Sequence, residues 1–169
     1  MTMHREENVD HAGRLRDGLA GASAAAAALS LPLLFFMHPR TEKRLSEFGM
    51  SDWARELPWI RPMAPAAYLD FLAFIAHAGL VFTDSGGVQQ EACIHHVGCV
   101  TLRNNTEWTE TLEIGANRLA GCDPKAIVAA AQSAWRAARG WVVPFGHGDA
   151  AVRIVDYVAP LLTRIEGGA

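Results

Sequence analysis

Apolar and polar positions in this chain change period repeatedly. Short apolar blocks fall at Pro32–Met37, Leu80–Thr83, Cys99–Leu102 and Arg118–Ala120, with a weaker one at Trp59–Met63. None alternates cleanly, as in strands covered on both faces. Helically spaced segments lie between them. Arg40–Phe48 is amphipathic and stops at Gly49, and Pro65–His77 is strongly apolar with proline at its start. Gly87–His96, Thr109–Ile114 and a segment from Pro124 to about Ala138, capped by Asp123, follow. Near the start, Met1–Met3 reads as the end of a strand, and a helix capped by Asp10 runs to about Leu29. A loop, "GWVVPFGHGD", leads to a last helix from about Asp149 to Ile165. Strands alternate with helices throughout. The pattern predicts an α/β fold, a Rossmann-like doubly wound parallel sheet, as one domain over residues 1–169.

Composition narrows the picture. Half of the 169 residues are hydrophobic and a fifth are charged, enough for a packed core. The formal net charge of −3 lacks the basic surplus of a nucleic-acid footprint. The alanine-rich stretch Ala20–Leu34 looks like a signal-peptide core, but acids at Glu6, Glu7, Asp10 and Asp17 precede it. It reads as a buried helix running into a strand. No apolar run reaches the roughly 20 residues of a bilayer span. Cys93, Cys99 and Cys122 form no CxxC pair, which favours a reduced, cytoplasmic setting and core-filling thiols. His95 and His96 have no acid or cysteine at ligand spacing, so no metal site is expected.

"VFTDSGGVQQEA" (Val81–Ala92) carries the most chemistry. Ser85, Gly86 and Gly87 stand at a strand's carboxyl end and open a helix, where ligands bind in this fold class. Free N–H groups at a helix start attract a phosphate, glycines admit it, and the serine hydroxyl adds a donor. A tight turn capped by Asp84 or Ser85 reads equally well. Glu91, one helical turn beyond Gly87, would suit a ribose diol better than a phosphate; alone it also reads as a solvated charge. "HREEN" places His4 and Arg5 after the first strand, on the same rim, where they could bind phosphate or move a proton; a surface loop is the alternative. "HPRT" (His38–Thr41) and "TEWTE" (Thr106–Glu110) follow further strand ends, the former also a plain helix start.

In chain order, "HREEN", "HPRT", "YLDFL", "TDSGG-Q-EA", "LR--TE--E", "GAN", "G-DP--I" and a Gly-x-Gly before the last helix resemble the C-terminal half of the non-hydrolysing UDP-N-acetylglucosamine 2-epimerases, from Thr2 to about Leu162. The resemblance implies the C-terminal domain of a two-domain GT-B-type fold. It also implies inversion at C2 of UDP-N-acetylglucosamine by elimination of UDP and its re-addition, without a cofactor. By position, His4 matches the cleft histidine and Phe71 an aromatic residue near the uracil. Ser85, Gly86 and Gly87 match the diphosphate cradle, Glu91 the ribose carboxylate, and Arg103 and Glu107 the "R--TE" loop. Arg5 joins this UDP-binding set.

Departures from the family pattern shape the expectation. Trp108 stands where the family has an arginine, Gln90 replaces an acid, and Cys93 and Cys99 replace prolines. The family's N-terminal domain, with its proton-transfer carboxylates, has no counterpart in these residues. The chain is therefore expected to bind UDP or a UDP-N-acetylhexosamine and to be inactive without an N-terminal half. A non-catalytic UDP-sugar-binding module, a decayed fragment and a glycosyltransferase C-terminal domain are the alternatives. Expected partners are a separate N-terminal half or a second copy, with no nucleic acid, membrane or metal. Trp141, Val142, Val143 and part of the last helix are expected to be uncovered.

Overall fold

Backbone hydrogen bonds join two short parallel sheets through the first three residues. The structure, a computed structural model, describes residues 1–166, with side chains as far as Pro160. Strand β1 (Leu33–Phe36) pairs in parallel with β2 (Ile60–Met63). Strands β3 (Val81–Thr83), β4 (Cys99–Thr101) and β5 (Asn117–Leu119) form a second parallel sheet in that order. Met1–Met3 runs between them. The Met1 amino group donates to the Leu34 carbonyl (2.7 Å), Phe36 N–H donates to the Met1 carbonyl (3.0 Å), and Thr2 N–H donates to the Phe82 carbonyl (2.9 Å). The layer thus reads β2, β1, Met1–Met3, β3, β4, β5. Counted from the N-terminus this is the 3-2-1-4-5-6 order of the doubly wound fold, as the alternation of elements predicts.

Strands β3 and β4 are buried on both faces, whereas the edge strand β2 exposes Arg61 and Pro62. Phe82 and Val100 join one core with Leu15, Leu19 and Ile127, while Val81 and Cys99 face a second core with Ile75, Val88 and Ala92. The first core is covered by α2 (Ala12–Leu29) and α8 (Pro124–Arg136), the second by α5 (Tyr68–Ala76) and α6 (Gly86–Ile94). The alanine-rich stretch is the buried part of α2, and small residues let it approach α8. A Cβ on Gly21 would come within 2.8 Å of the Pro124 Cα. Asp123 caps α8 as predicted, accepting from Ala126 N–H at 2.7 Å. The other helices are α1 (Glu6–Val9), α3 (Pro39–Glu47), α4 (Ser51–Glu56), α7 (Thr109–Glu113) and α9 (Ala150–Glu166).

Several expectations are corrected. Asp10 does not cap α2; it ends α1 and pairs with Arg40 (2.6 Å) and Arg44 (2.9 Å) of α3. Helix α5 begins at Tyr68, not Pro65, and α4 went unpredicted because only Ala54 of its six residues is buried. Trp141 is tied down, its indole N–H donating to the Cys93 carbonyl (2.9 Å). Val142 and α9 are exposed as expected, with Val155 at 62% and Tyr157 at 75%. Among the described residues no helix is long and apolar enough to cross a membrane, and no three His, Cys, Asp or Glu side chains gather to hold a metal. The three thiols are buried and unpaired; burial pushes Cys99 up to about 12 and Cys122 to about 11.

Candidate functional site

In a doubly wound sheet the ligand crevice opens where the strand order reverses. Here that point lies between the ends of Met1–Met3 and β3, and Asp84 closes it from below. Asp84 is fully buried, and its carboxylate accepts from the N–H groups of His4 (3.0 Å) and Arg5 (2.9 Å) and from the Asn8 amide (3.0 Å). Asn8 also donates to the Leu102 carbonyl at the end of β4 (2.9 Å). One aspartate and one asparagine thus lock three strand ends and the first turn of α1 together. An acid is suited to this, because a carboxylate can accept several N–H groups at once.

Helix α6 starts on this rim. Ser85 is its N-cap residue, but its side chain makes no capping bond, and Ser85 N–H donates to Thr83 Oγ1 (3.0 Å). The turn holds without the serine hydroxyl. A Cβ on Gly86 would displace the Glu107 carboxylate and come within 3.1 Å of the Trp108 indole nitrogen. Gly87 faces open space. The indole Nε1 of Trp108 is buried with no hydrogen-bond partner, and its ring meets Phe145 edge-on at 5.5 Å. The "PFGHGD" loop therefore touches the site through Phe145.

A buried polar network hangs the Arg103–Trp108 loop from α6. Gln89, fully buried, donates to the Ser85 carbonyl (3.2 Å) and accepts from Thr106 Oγ1 (2.6 Å) and the Asn117 amide (3.0 Å). Thr106 Oγ1 in turn accepts from Trp108 N–H (3.1 Å). From this loop Arg103 donates to Glu107 (2.8 Å) and Glu7 (3.1 Å), and Arg5 lies 3.8 Å from Glu107. A bond from its own backbone N–H, and then Arg103, hold the Glu107 carboxyl below the usual carboxylate range. His4, Arg5, Glu6, Glu7, Arg40 and Arg103 surround a cavity of about 500 Å³. His4 stacks on His38 at 5.2 Å, and its Nε2 is 3.9 Å from Asp84. Burial, ahead of the pull from Asp84, lowers its pKa from 6.5, so the ring is neutral at neutral pH.

His4, Arg5, Ser85, Gly86, Arg103 and Glu107 are thus brought together, and Gly87 and Glu91 continue along α6. Burial raises the Glu91 carboxyl, and a bond from Tyr68 partly offsets this. Phe71 is not part of the group: it packs edge-on against Phe36 (5.2 Å) and lines an apolar cavity. Sequence reasoning did not assign Tyr68 or Gln89 a role. The signal for Gln89 was a glutamine one turn beyond the N-cap, able to reach back to the Ser85 carbonyl.

Comparison with known proteins adds the following. The profile of the family described as UDP-N-acetylglucosamine 2-epimerase matches residues 1–159. A UDP-N-acetylglucosamine 2-epimerase of Methanocaldococcus jannaschii is 43% identical over 155 residues, covering 92% of this chain and 42% of that protein. A UDP-2,3-diacetamido-2,3-dideoxy-D-glucuronate 2-epimerase of Pseudomonas aeruginosa is 34% identical over 165 residues, covering 95% of this chain and 44% of its own length. The crystal structure of the M. jannaschii enzyme in complex with UDP-GlcNAc and UDP superimposes with a TM-score of 0.88 at 42% identity, over 94% of this chain and 44% of that one. The S. aureus MnaA–UDP structure gives 0.76 at 26% identity, over 96% and 44%. The chain therefore spans less than half the length of these relatives, and the part it matches is their C-terminal half.

Proposed function

The chain belongs to the UDP-N-acetylglucosamine 2-epimerase family, and from that premise we propose that it is a single Rossmann-like UDP-binding domain, the nucleotide-holding half of a UDP-N-acetylhexosamine 2-epimerase. The observation that carries this reading is the rim at the strand-order reversal. There the open N-terminus of α6, the uncommitted Ser85 hydroxyl and the unpartnered Trp108 indole N–H lie beside Arg5 and Arg103, which the Glu107 carboxylate holds. A leaving diphosphate takes the C1–O electron pair with it, and donors fixed in advance stabilise that charge. In this reading Glu91 accepts from the ribose and His4 faces the diphosphate.

Proton transfer at C2 requires a carboxyl group free to take and return the proton. Four acids around this rim are already engaged. Asp84 accepts three donors, Glu7 and Glu107 hold Arg103, and Glu91 holds Tyr68. That favours carboxylates supplied by an N-terminal half and no turnover by this domain alone. Titration calorimetry with UDP, followed by an epimerase assay with and without an N-terminal half of a relative, tests the proposal. Saturable UDP binding with turnover only in the mixture is expected. No UDP binding, or UDP-N-acetylmannosamine formed by the chain alone, overturns it.

A further inference from the structure

The "HPRT" turn that opens α3 lies against the segment carrying His4. Thr41 is buried, and its hydroxyl donates to the carbonyl of Met3, the residue before His4. Arg40 donates to Glu6 of α1 (2.8 Å) and to Asp10 at the end of α1 (2.6 Å). Pro39 sits in the first turn of α3, where a missing N–H costs nothing. The start of α3 is thus fixed to the chain on both sides of His4. Asp84 fixes the same chain from below, through the His4 and Arg5 N–H groups.

Within this frame the two histidine rings meet. His38 is the N-cap residue of α3, and its ring makes the cap: Nδ1 accepts from Arg40 N–H at 3.1 Å. An accepting Nδ1 carries no proton, so the neutral ring has its proton on Nε2. The bond also sets the direction of the ring, which lies on His4 with centroids 5.2 Å and planes 30° apart. His4 has no such anchor. Among the described residues no hydrogen bond reaches its ring, and its Nε2 stands 3.9 Å from Asp84, beyond hydrogen-bond range. Its backbone is locked and its ring is not. The groups around that ring are Asp84 at the end of β3, Arg5 beside it, Glu6 and Glu7 of α1, His38 and Arg40 at the start of α3, and Arg103 from the loop after β4. Burial opposes an imidazolium on His4 most strongly; Asp84 favours one, and His38, Arg5 and Arg40 oppose it. Removing the His38 ring takes away cover and a group of like charge together, and both changes favour the imidazolium.

We propose that His38 is a positioning residue: its ring, aimed by the cap it makes on α3, holds the His4 ring in place on the rim. A side chain that turns freely loses part of any contact it makes to rotamer entropy, so a ring that meets a diphosphate gains from a set direction. The use of the stack rests on the reading of His4 as the group that faces the diphosphate. Its test needs no nucleotide.

Two substitutions in the full chain separate the cap from the stack. His38→Asn keeps an oxygen for Arg40 N–H and removes the ring. His38→Phe keeps a ring and removes the cap. The readout is the titration of the His4 ring protons by NMR, identified by their loss in His4→Gln, with Tm measured alongside. His38→Asn should raise the His4 midpoint by about 0.5 pH unit and leave Tm no lower. His38→Phe should leave the midpoint within about 0.2 pH unit and lower Tm by about 2–4 °C. A purely structural His38 would move Tm and not the midpoint. The proposal is overturned if His38→Asn leaves the His4 midpoint unchanged or lowers it, or if His38→Phe raises it equally. A native chain that binds no UDP removes the reading of the rim, and the His4 midpoints still decide the role of His38.

Discussion

The carboxylate of Glu107 already stands at the N-terminus of α6, held by Arg103 at 2.8 Å and by Arg5 at 3.8 Å. It occupies the side of Gly86 that a diphosphate would approach. Replacing Glu107 with glutamine keeps the shape and an oxygen for Arg103 but removes the charge. A unit charge about 5 Å from another, at an effective dielectric near 20, costs about 3 kcal/mol. The Glu107 side chain is 44% exposed, so water and salt reduce that to about 1 kcal/mol. Glu107→Gln should therefore tighten UDP by about fivefold. Titration calorimetry with UDP, UMP and uridine reads the effect. The gain should be largest for UDP, smaller for UMP, absent for uridine, and should shrink as salt is raised. Weaker UDP binding, or an equal gain for uridine, would refute the reasoning and make Glu107 a direct ligand of the nucleotide.

Asp84→Asn cannot accept from three donors without facing its own amide hydrogens toward one of them. It should cost about 3 kcal/mol and lower Tm by about 6–12 °C in calorimetry; an unchanged Tm would contradict the locking role. Burial holds His4 below its ordinary 6.5, so the unfolded chain takes up that proton first. Its contribution to stability is full above about pH 6.5 and is lost as pH falls through the lower folded value. A bound diphosphate pulls the same group up, so UDP binding should take up a proton and tighten from pH 8 toward 6.5. Calorimetry in two buffers of different ionisation enthalpy should show this uptake, and His4→Gln should abolish it. Ile154 and Val155 of α9 are each 62% exposed, so changing both to glutamate should move stability by no more than about 0.5 kcal/mol. It should also remove concentration-dependent association in sedimentation velocity; a native chain that stays monomeric at high concentration would sink the interface reading.

Local chemistry and long-range chemistry differed in how far they could be read. The strand–helix alternation and the glycine turn at Ser85–Gly87 are local, and they carried the sheet and its rim. Asp10 misled because a cap and an ion-pair partner are the same residue type; the pairing with Arg40 and Arg44 depends on α3 lying beside α1. Gln89 was legible as a helix residue but not as the support of a loop 17 residues further on. Trp108 is the instructive case. Read along the chain, it is the loss of an arginine, and so of a positive charge. In the fold its indole N–H is buried, unpartnered and aimed at the start of α6. A helix start binds an anion through donors held in place more than through net charge. Set against the arginine that the resemblance implies here, the fold offers a fixed neutral donor. The Phe145 ring stacked edge-on against it keeps that donor where it is. Charge counting along a sequence registers the loss of the cation and is blind to the donor that replaces it.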